Sequence, residues 1–545
     1  MNLRIVNSRV ILLGAVVAAG LFGTAAGDDP IGDLVRLAPA QTRSLLLIPH
    51  FAAVWREAGN APGAGGRVAP KGATDLMEAS RALRARFGLT GEDLASLDPE
   101  YAIHADVAGP DHAPRYALIC LFQNAETARA ALKVAETKLR RGAGAQTAGS
   151  GLAIATDAAL ADAIVARAAA AAEEKHEAPP GLARLAARLH ESAPTPPDLF
   201  WYVRPGASQE EARDGDDASR RQAFEERHGL NDIQAVAATL CTATEEPFLL
   251  KSYVFAPPPR HGSLQLLQLT PSADWPTPPW AITSAHEILL LHGDVSKALN
   301  HLGPLFDDLF ADGMQGTFDD ILADINDPEY GLNVDLRTAL FAKLGPMVFI
   351  TRRIGSADKR GDAYTYVFQT NAAPQVAKTI DKLFKDDPEA KRQKVEGSAY
   401  PLWLIPGGEK SHDAGFVVID GYVVYTQSPD LLRRALAESK GDEPQELNVL
   451  PAIAARVPSL EDRRPCLVWA WGNRAKAAGD KAEAARELNR RVVSAFLTCP
   501  ASWSEPGGTA DAGLQGLLGS WLPLREECNR CFGFVEPDGW SFLAY

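Results

Sequence analysis

One ordered series of apolar segments occurs twice in this chain, and that repetition constrains the fold more than any other feature. A repeated series means one supersecondary unit used twice, so both copies must bury their apolar faces in the same way. Phe87-Gly88-Leu89-Thr90 resembles Tyr330-Gly331-Leu332-Asn333. Leu97 to Ile103 parallels Leu344 to Ile350, and Ala117 to Gln123 parallels Thr365 to Gln369, each ending in a Phe-Gln pair. Gly151 to Thr156 matches Gly421 to Thr426, and Pro197 to Tyr202 answers Pro465 to Ala470. Glu246-Pro247 answers Glu536-Pro537, with Cys241 and Cys531 each five residues before the shared glutamate. Short apolar runs look alike; it is their common order that marks two copies, at 40–260 and 281–545.

The span 261–280 between them reads as a Pro-rich linker. It is flanked by Pro257-Pro258-Pro259-Arg260 and contains Trp275-Pro276-Thr277-Pro278-Pro279-Trp280. Proline fixes φ and removes a donor, so such segments do not join a ladder. Strand-like runs adjoin one another before each helical pattern, as in the Ile350 and Val367 runs, instead of alternating strictly with helices. The predicted class is therefore α+β: two repeated modules, each a largely antiparallel sheet with helices packed on one side of it. Phe306 to Ile325 has apolar residues at helical spacing, with Asp307, Asp308, Asp312, Asp319, Asp320 and Asp324 mainly on the outer face.

The N-terminus predicts export. Arg4 and Arg9 precede an uncharged apolar run, Val10 to Phe22, which small residues close at Thr24-Ala25-Ala26-Gly27. Positive charge, short apolar core and small-residue site together read as a signal peptide over 1–26. The run is shorter than the roughly 20 residues a membrane-spanning helix needs, so no stable membrane insertion is expected after cleavage. Losing the two arginines moves the formal charge from −14 to −16. An acidic surface repels phosphate backbones, and no basic run with interleaved aromatics occurs, so nucleic acid is not an expected partner.

Cysteine is the sharpest chemical signal. Exported cysteines commonly pair. Of the four in the second copy, Cys499 and Cys528 are the disulfide candidates, because Cys528 has no counterpart in the first copy while Cys531 does. Cys528-Asn529-Arg530-Cys531 has redox spacing but lies between apparent strands, not at a helix start after a strand. His286, His292, His301 and Asp294 form the densest histidine group, yet their spacing puts them on no common helical face. Asp324, Asn326 and Asp327 are followed by Pro328, which breaks the register of alternate oxygen ligands and then a glycine that a calcium loop needs. Glu92-Asp93 and the Asp98/Glu100 pair read as a helix cap and a turn. No nucleophile elbow or phosphate loop is present, so no catalytic, cofactor or metal residue is assigned from the sequence.

Phe87 to Leu94, the Phe-Gln strand ends, and Gly229-Leu230 to Ala256 with its following prolines are similar to uncharacterised exported bacterial proteins of planctomycete-like genomes, a class of domains of unknown function. That resemblance implies an exported protein and brings no activity or site residue with it. The expected function is a non-enzymatic binding or scaffold role, periplasmic or extracellular, with a protein or cell-envelope ligand. The competing expectation is a hydrolase or thiol-redox enzyme whose site is assembled from distant residues.

Overall fold

A computed structural model describes residues 37–59, 71–109, 114–170, 179, 181–190, 199–204, 216–241, 249–272, 275, 287–353, 363–395, 398–407, 413–427, 429–430, 432–433, 465–471 and 530–544. The first module supplies β1 (Thr42–Pro49), β2 (Tyr101–Ala108), β3 (Pro114–Leu121), β4 (Gly144–Ala148), β5 (Gly151–Ala155), β6 (Leu199–Val203), β7 (Ala235–Cys241) and β8 (Leu249–Phe255). The second supplies β9 (Glu287–His292), β10 (Leu344–Arg353), β11 (Ala363–Thr370), β12 (Lys391–Gln393), β13 (Leu402–Ile405), β14 (Ala414–Ile419), β15 (Tyr422–Thr426), β16 (Leu467–Trp471), β17 (Arg530–Glu536) and β18 (Gly539–Ala544).

Every pairing among the described strands is antiparallel. In the first module the spatial order is β4-β5-β3-β2-β1-β6-β7-β8. In the second it is β14-β15-β11-β10-β9-β16-β17-β18, with the hairpin β12-β13 added beyond β14. The same order thus occurs in both halves. The last strand of each, β8 and β18, then pair with each other and join the modules edge to edge. That pairing satisfies the backbone groups of two edges at once, and an unpaired edge is an aggregation hazard.

Register in the two halves differs from the sequence expectation. One cross-strand row of the first module contains Ile154, Leu118, His104, Leu46, Trp201, Ala238 and Ser252. The row through Trp469 contains Tyr425, Tyr366, Ile350, Leu289, Trp469, Cys531 and Ala544. Aligned on Trp201 and Trp469, Cys531 stands where the first module has Ala238, not Cys241. Turns support this frame. Phe122 N–H donates to Ser150 O at 3.0 Å, and Thr370 N–H to Gly421 O at 2.7 Å. Tyr116 N–H donates to Thr156 Oγ1 at 3.1 Å, and Tyr364 N–H to Gln427 Oε1 at 3.2 Å. Phe122-Gln123 therefore answers Thr370-Asn371, two residues past the second Phe-Gln pair.

The same slip occurs ahead of β2 and β10. Gly88 at φ 91° and Asn333 at φ 50° are the left-handed residues, each two before a helix cap, Thr90 and Asp335. Asparagine tolerates that conformation better than most residues. Thr90 and Asp93 complete a reciprocal capping box, Asp93 N–H to Thr90 Oγ1 at 3.1 Å and Thr90 N–H to Asp93 Oδ2 at 2.8 Å. Asp98 closes that helix at φ 51°. Asp93 is thus a cap residue and Asp98 a turn residue.

The first sheet is covered on both faces, which corrects the expectation of helices on one side. Over Leu46, Leu118, Ile154 and Trp201 lie the helices Phe51–Gly59, Lys71–Phe87, Gly91–Leu97 and Ala125–Glu136. Over Leu45, Leu47, Ile103 and Tyr202 lie Ala158–Ala170 and Leu182–His190. Each residue of β1 and of β6 is accordingly buried. Strands buried on both faces read as continuous apolar runs, and Leu45-Leu46-Leu47-Ile48 has no polar alternation. In the second module, Val376 and Ile380 of the helix Ala373–Phe384 pack on Trp403, Val418 and Val423.

Half of the 261–280 span is more than a link. Gly262–Leu267 is a 3-10 helix with Ser263 and Leu264 buried, and Leu269 bridges to Gly293 of the second module. Among the described residues no helix is long and apolar enough to cross a membrane. Residues 1–26, together with Cys499 and Cys528, lie outside the described residues.

Candidate functional site

Where the two modules touch, Arg227, His228, Ser263 and Asp308 form one cluster of polar side chains. The helix Asp216–His228 brings Arg227 and His228 into its last turn. Gly229, at φ 70°, lets the chain leave that turn. A Cβ at Gly229 would lie 2.1 Å from His261 O, and one at Gly262 would lie 2.1 Å from Arg227 O. Both positions therefore need glycine, and their backbone contact is what sets Ser263 beside His228. Asp308 comes from the other module, on the helix Gly303–Phe310. Its neighbour Asp307 accepts from Gly316 N–H at 2.7 Å and Phe318 N–H at 2.8 Å. Those bonds close the turn into the next helix, Thr317–Asn326.

The geometry is a closed relay. His228 Nδ1 lies 2.6 Å from Ser263 Oγ, and His228 Nε2 lies 2.7 Å from Asp308 Oδ2. A carboxylate only accepts, so Nε2 carries the proton of the neutral ring and Nδ1 accepts from the Ser263 hydroxyl. Arg227 donates from one guanidinium nitrogen to both Asp308 oxygens, at 2.5 and 2.7 Å. Gln315 Nε2 donates to Asp308 Oδ1 at 3.2 Å. The Phe224 ring stands 4.2 Å from that of His228. His228 is 2% exposed and Ser263 3%, so neither reaches bulk water.

Burial holds the His228 pKa below its ordinary 6.5; the Asp308 hydrogen bond opposes that shift, and the Arg227 charge adds to it. With the folded value lowered, the unfolded chain binds a proton below pH 6.5 that the folded chain refuses. Stability from this group is therefore present above 6.5 and falls as pH drops toward the folded value. Urea midpoints taken from pH 8 to pH 5 should decline more steeply for the wild-type protein than for His228→Gln. Parallel slopes would show that His228 does not carry the dependence.

Ser, His and Asp in this connectivity are the parts of an activated nucleophile. Two features oppose that use. Ser263 is enclosed, and Arg227 already neutralises the carboxylate that would stabilise an imidazolium. What the arrangement does is tie the last turn of one module's helix to a helix of the other. A second tie is Tyr253 O–H donating to Asp538, which also pairs with Arg184.

A buried ion pair lies in the first module. A β-bulge between Thr42 and Ser44 puts two residues opposite Asp106. It lets Arg43 reach that carboxylate, Nε to Oδ2 at 3.1 Å and Nη2 to Oδ1 at 2.8 Å. The two side chains are 3% and 5% exposed.

Among the described residues, the groups singled out in the sequence are not brought into a site. Cys120 and Cys466 are buried free thiols, each with its pKa pushed up to about 12 by burial. His292 Nδ1 lies 3.0 Å from Thr270 O, and Asp294 caps the helix Val295–Leu299 through Lys297 N–H at 3.0 Å. His286 lies outside the described residues. Asp327 Oδ1 accepts from Glu329 and Tyr330 N–H, both at 2.7 Å, and so closes the turn after the helix Thr317–Asn326. No group of side chains able to hold a metal occurs among the described residues. The joint cluster was missed because Ser263 and Asp308 lie 35 and 80 residues from His228. Comparison with protein families, characterised proteins and solved structures returns no match.

Proposed function

We propose that this is an exported, non-enzymatic binding or scaffold protein, built from two copies of one module and acting as a single rigid body outside the cytoplasm. The observation that carries this reading is the joint. β8 and β18 continue one antiparallel ladder from module to module, and the Arg227–Asp308–His228–Ser263 relay, buried at His228 and Ser263, clamps the same seam. Polar residues that could do chemistry are here committed to one another, as a device for geometry would require. The resemblance to exported bacterial proteins of unknown function and the signal-like N-terminus support the location. A protein or cell-envelope component is the proposed class of ligand.

The Ser-His-Asp connectivity favours one other reading, a hydrolase with Ser263 as nucleophile. A fluorophosphonate probe on the native protein separates the two. We expect no adduct on Ser263, and a fall of about 1 kcal/mol in unfolding free energy for Ser263→Ala, the usual worth of one hydrogen bond. Stoichiometric labelling abolished by Ser263→Ala, with stability unchanged, would overturn the scaffold reading.

A further inference from the structure

We propose that the tip of the helical hairpin formed by Gly303–Phe310 and Thr317–Asn326 is a docking surface for a cationic amphipathic helix of a partner protein. The proposal rests on the binding reading above and names the partner chemistry. Phe310, Met314 and Ile321 are 49%, 64% and 40% exposed, large apolar side chains left in water within a stretch of one hairpin. They are attached to a packed base: the Phe306 ring stands 5.2 Å from that of Phe310 and 5.1 Å from that of Phe318. Asp307 closes the turn between the two helices, and Asp308 is held by Arg227 and His228, so the hairpin is fixed from its inner side. Contiguous exposed apolar surface on a rigid support marks interaction sites. Methionine in such a surface adapts to varied partners.

Charge selects the occupant. From Ala298 to Leu336 the chain carries nine carboxylates and no lysine or arginine. Asp307 and Asp308 are turned into the fold, and Asp319 pairs with Arg337, whose guanidinium sits 5.9 Å over the Phe318 ring. Asp312, Asp320 and Asp324 stay exposed beside the apolar side chains. Exposed apolar side chains interspersed along the hairpin with exposed carboxylates complement a helix with one apolar face and a lysine- or arginine-rich border. The same carboxylates repel nucleic acid and anionic lipid, and a second copy of this acidic chain is disfavoured for that reason.

The test uses the mature full-length protein and a fluorescein-labelled Leu/Lys peptide patterned as an amphipathic helix. A peptide of identical composition with the leucines scrambled serves as control. The patterned peptide should bind, more weakly as salt rises. The triple change Phe310→Ser, Met314→Ser, Ile321→Ser should weaken it at least about tenfold, as should Asp312→Lys with Asp320→Lys and Asp324→Lys. Met314→Ser alone, at the most exposed position, gives a smaller loss in the same direction and guards against misfolding of the triple variant. Equal binding by wild type and variants, equal binding of the scrambled peptide, or preferential capture of phosphatidylglycerol vesicles would overturn the proposal. Peptide failure with Ser263 unlabelled by fluorophosphonate removes only this surface; labelling at Ser263 removes the scaffold reading itself.

Discussion

Replacing Asp308 with alanine should lower the unfolding free energy by about 3 kcal/mol, as expected when one partner of a buried charged network is removed. The loss has two parts. His228 keeps an Nε2–H with no acceptor in a site that is 2% exposed, and a buried unsatisfied donor costs about 1–3 kcal/mol. Arg227 also loses both of its contacts to the carboxylate. Its side chain is 32% exposed and can turn partly toward water, which keeps the total at the low end of the range for broken buried pairs. Asp308→Asn retains an acceptor oxygen and should cost less, about 1–2 kcal/mol. Urea unfolding followed by tryptophan fluorescence reads both. Because the cluster ties one module to the other, Asp308→Ala should also broaden or split the transition. A loss below about 1 kcal/mol with an unchanged, single transition would mean that the cluster contributes nothing to the joint.

Asp106→Ala should cost about 3–5 kcal/mol, since it leaves the guanidinium of Arg43, 3% exposed, without its bidentate carboxylate. Replacing both partners with apolar residues, Arg43→Met with Asp106→Leu, should recover most of that loss, because the desolvation penalty of two charges disappears along with their attraction. The bulge at Arg43 makes the prediction specific. Two residues face Asp106 there, and a side chain that does not need that carboxylate has no use for the extra one. Equilibrium unfolding of the single and double variants is the measurement. A double variant as unstable as Asp106→Ala would show that the bulge, and not the charge, is what matters.

The relation of sequence to register is instructive at particular residues. Both halves contain a Phe-Gln pair at a strand end, yet the bonds of Ser150 and Gly421 set them two residues apart. A run such as Ala117 to Phe122 looks nearly the same after a shift of two, because the side-chain period of a strand is two and its core face is preserved. Turn residues carry the missing information. Gly88 and Asn333 both adopt positive φ ahead of a cap, and aligning those two gives the register at once. The cysteines show the consequence. Matched by distance to a shared glutamate, Cys241 and Cys531 look equivalent, whereas in the sheet Cys531 pairs with Trp469 and Ala238 pairs with Trp201.

Apolar order along the chain determined, without any coordinates, that this protein is α+β with two modules of antiparallel strands, because the pattern of buried faces is local and is written in consecutive residues. The helix cap at Glu92-Asp93 and the turn at Asp98 were legible for the same reason. Which helices cover which face was not, since β1 is apolar on both sides and only the packed chain assigns each side a partner. The joint was decided by tertiary structure alone. Arg227 and His228 end one helix, Ser263 opens a short turn, and Asp308 lies on a helix of the other module. What makes these one network is the pairing of β8 with β18 and the backbone contact of Gly229 with Gly262, long-range geometry that no neighbouring residues encode.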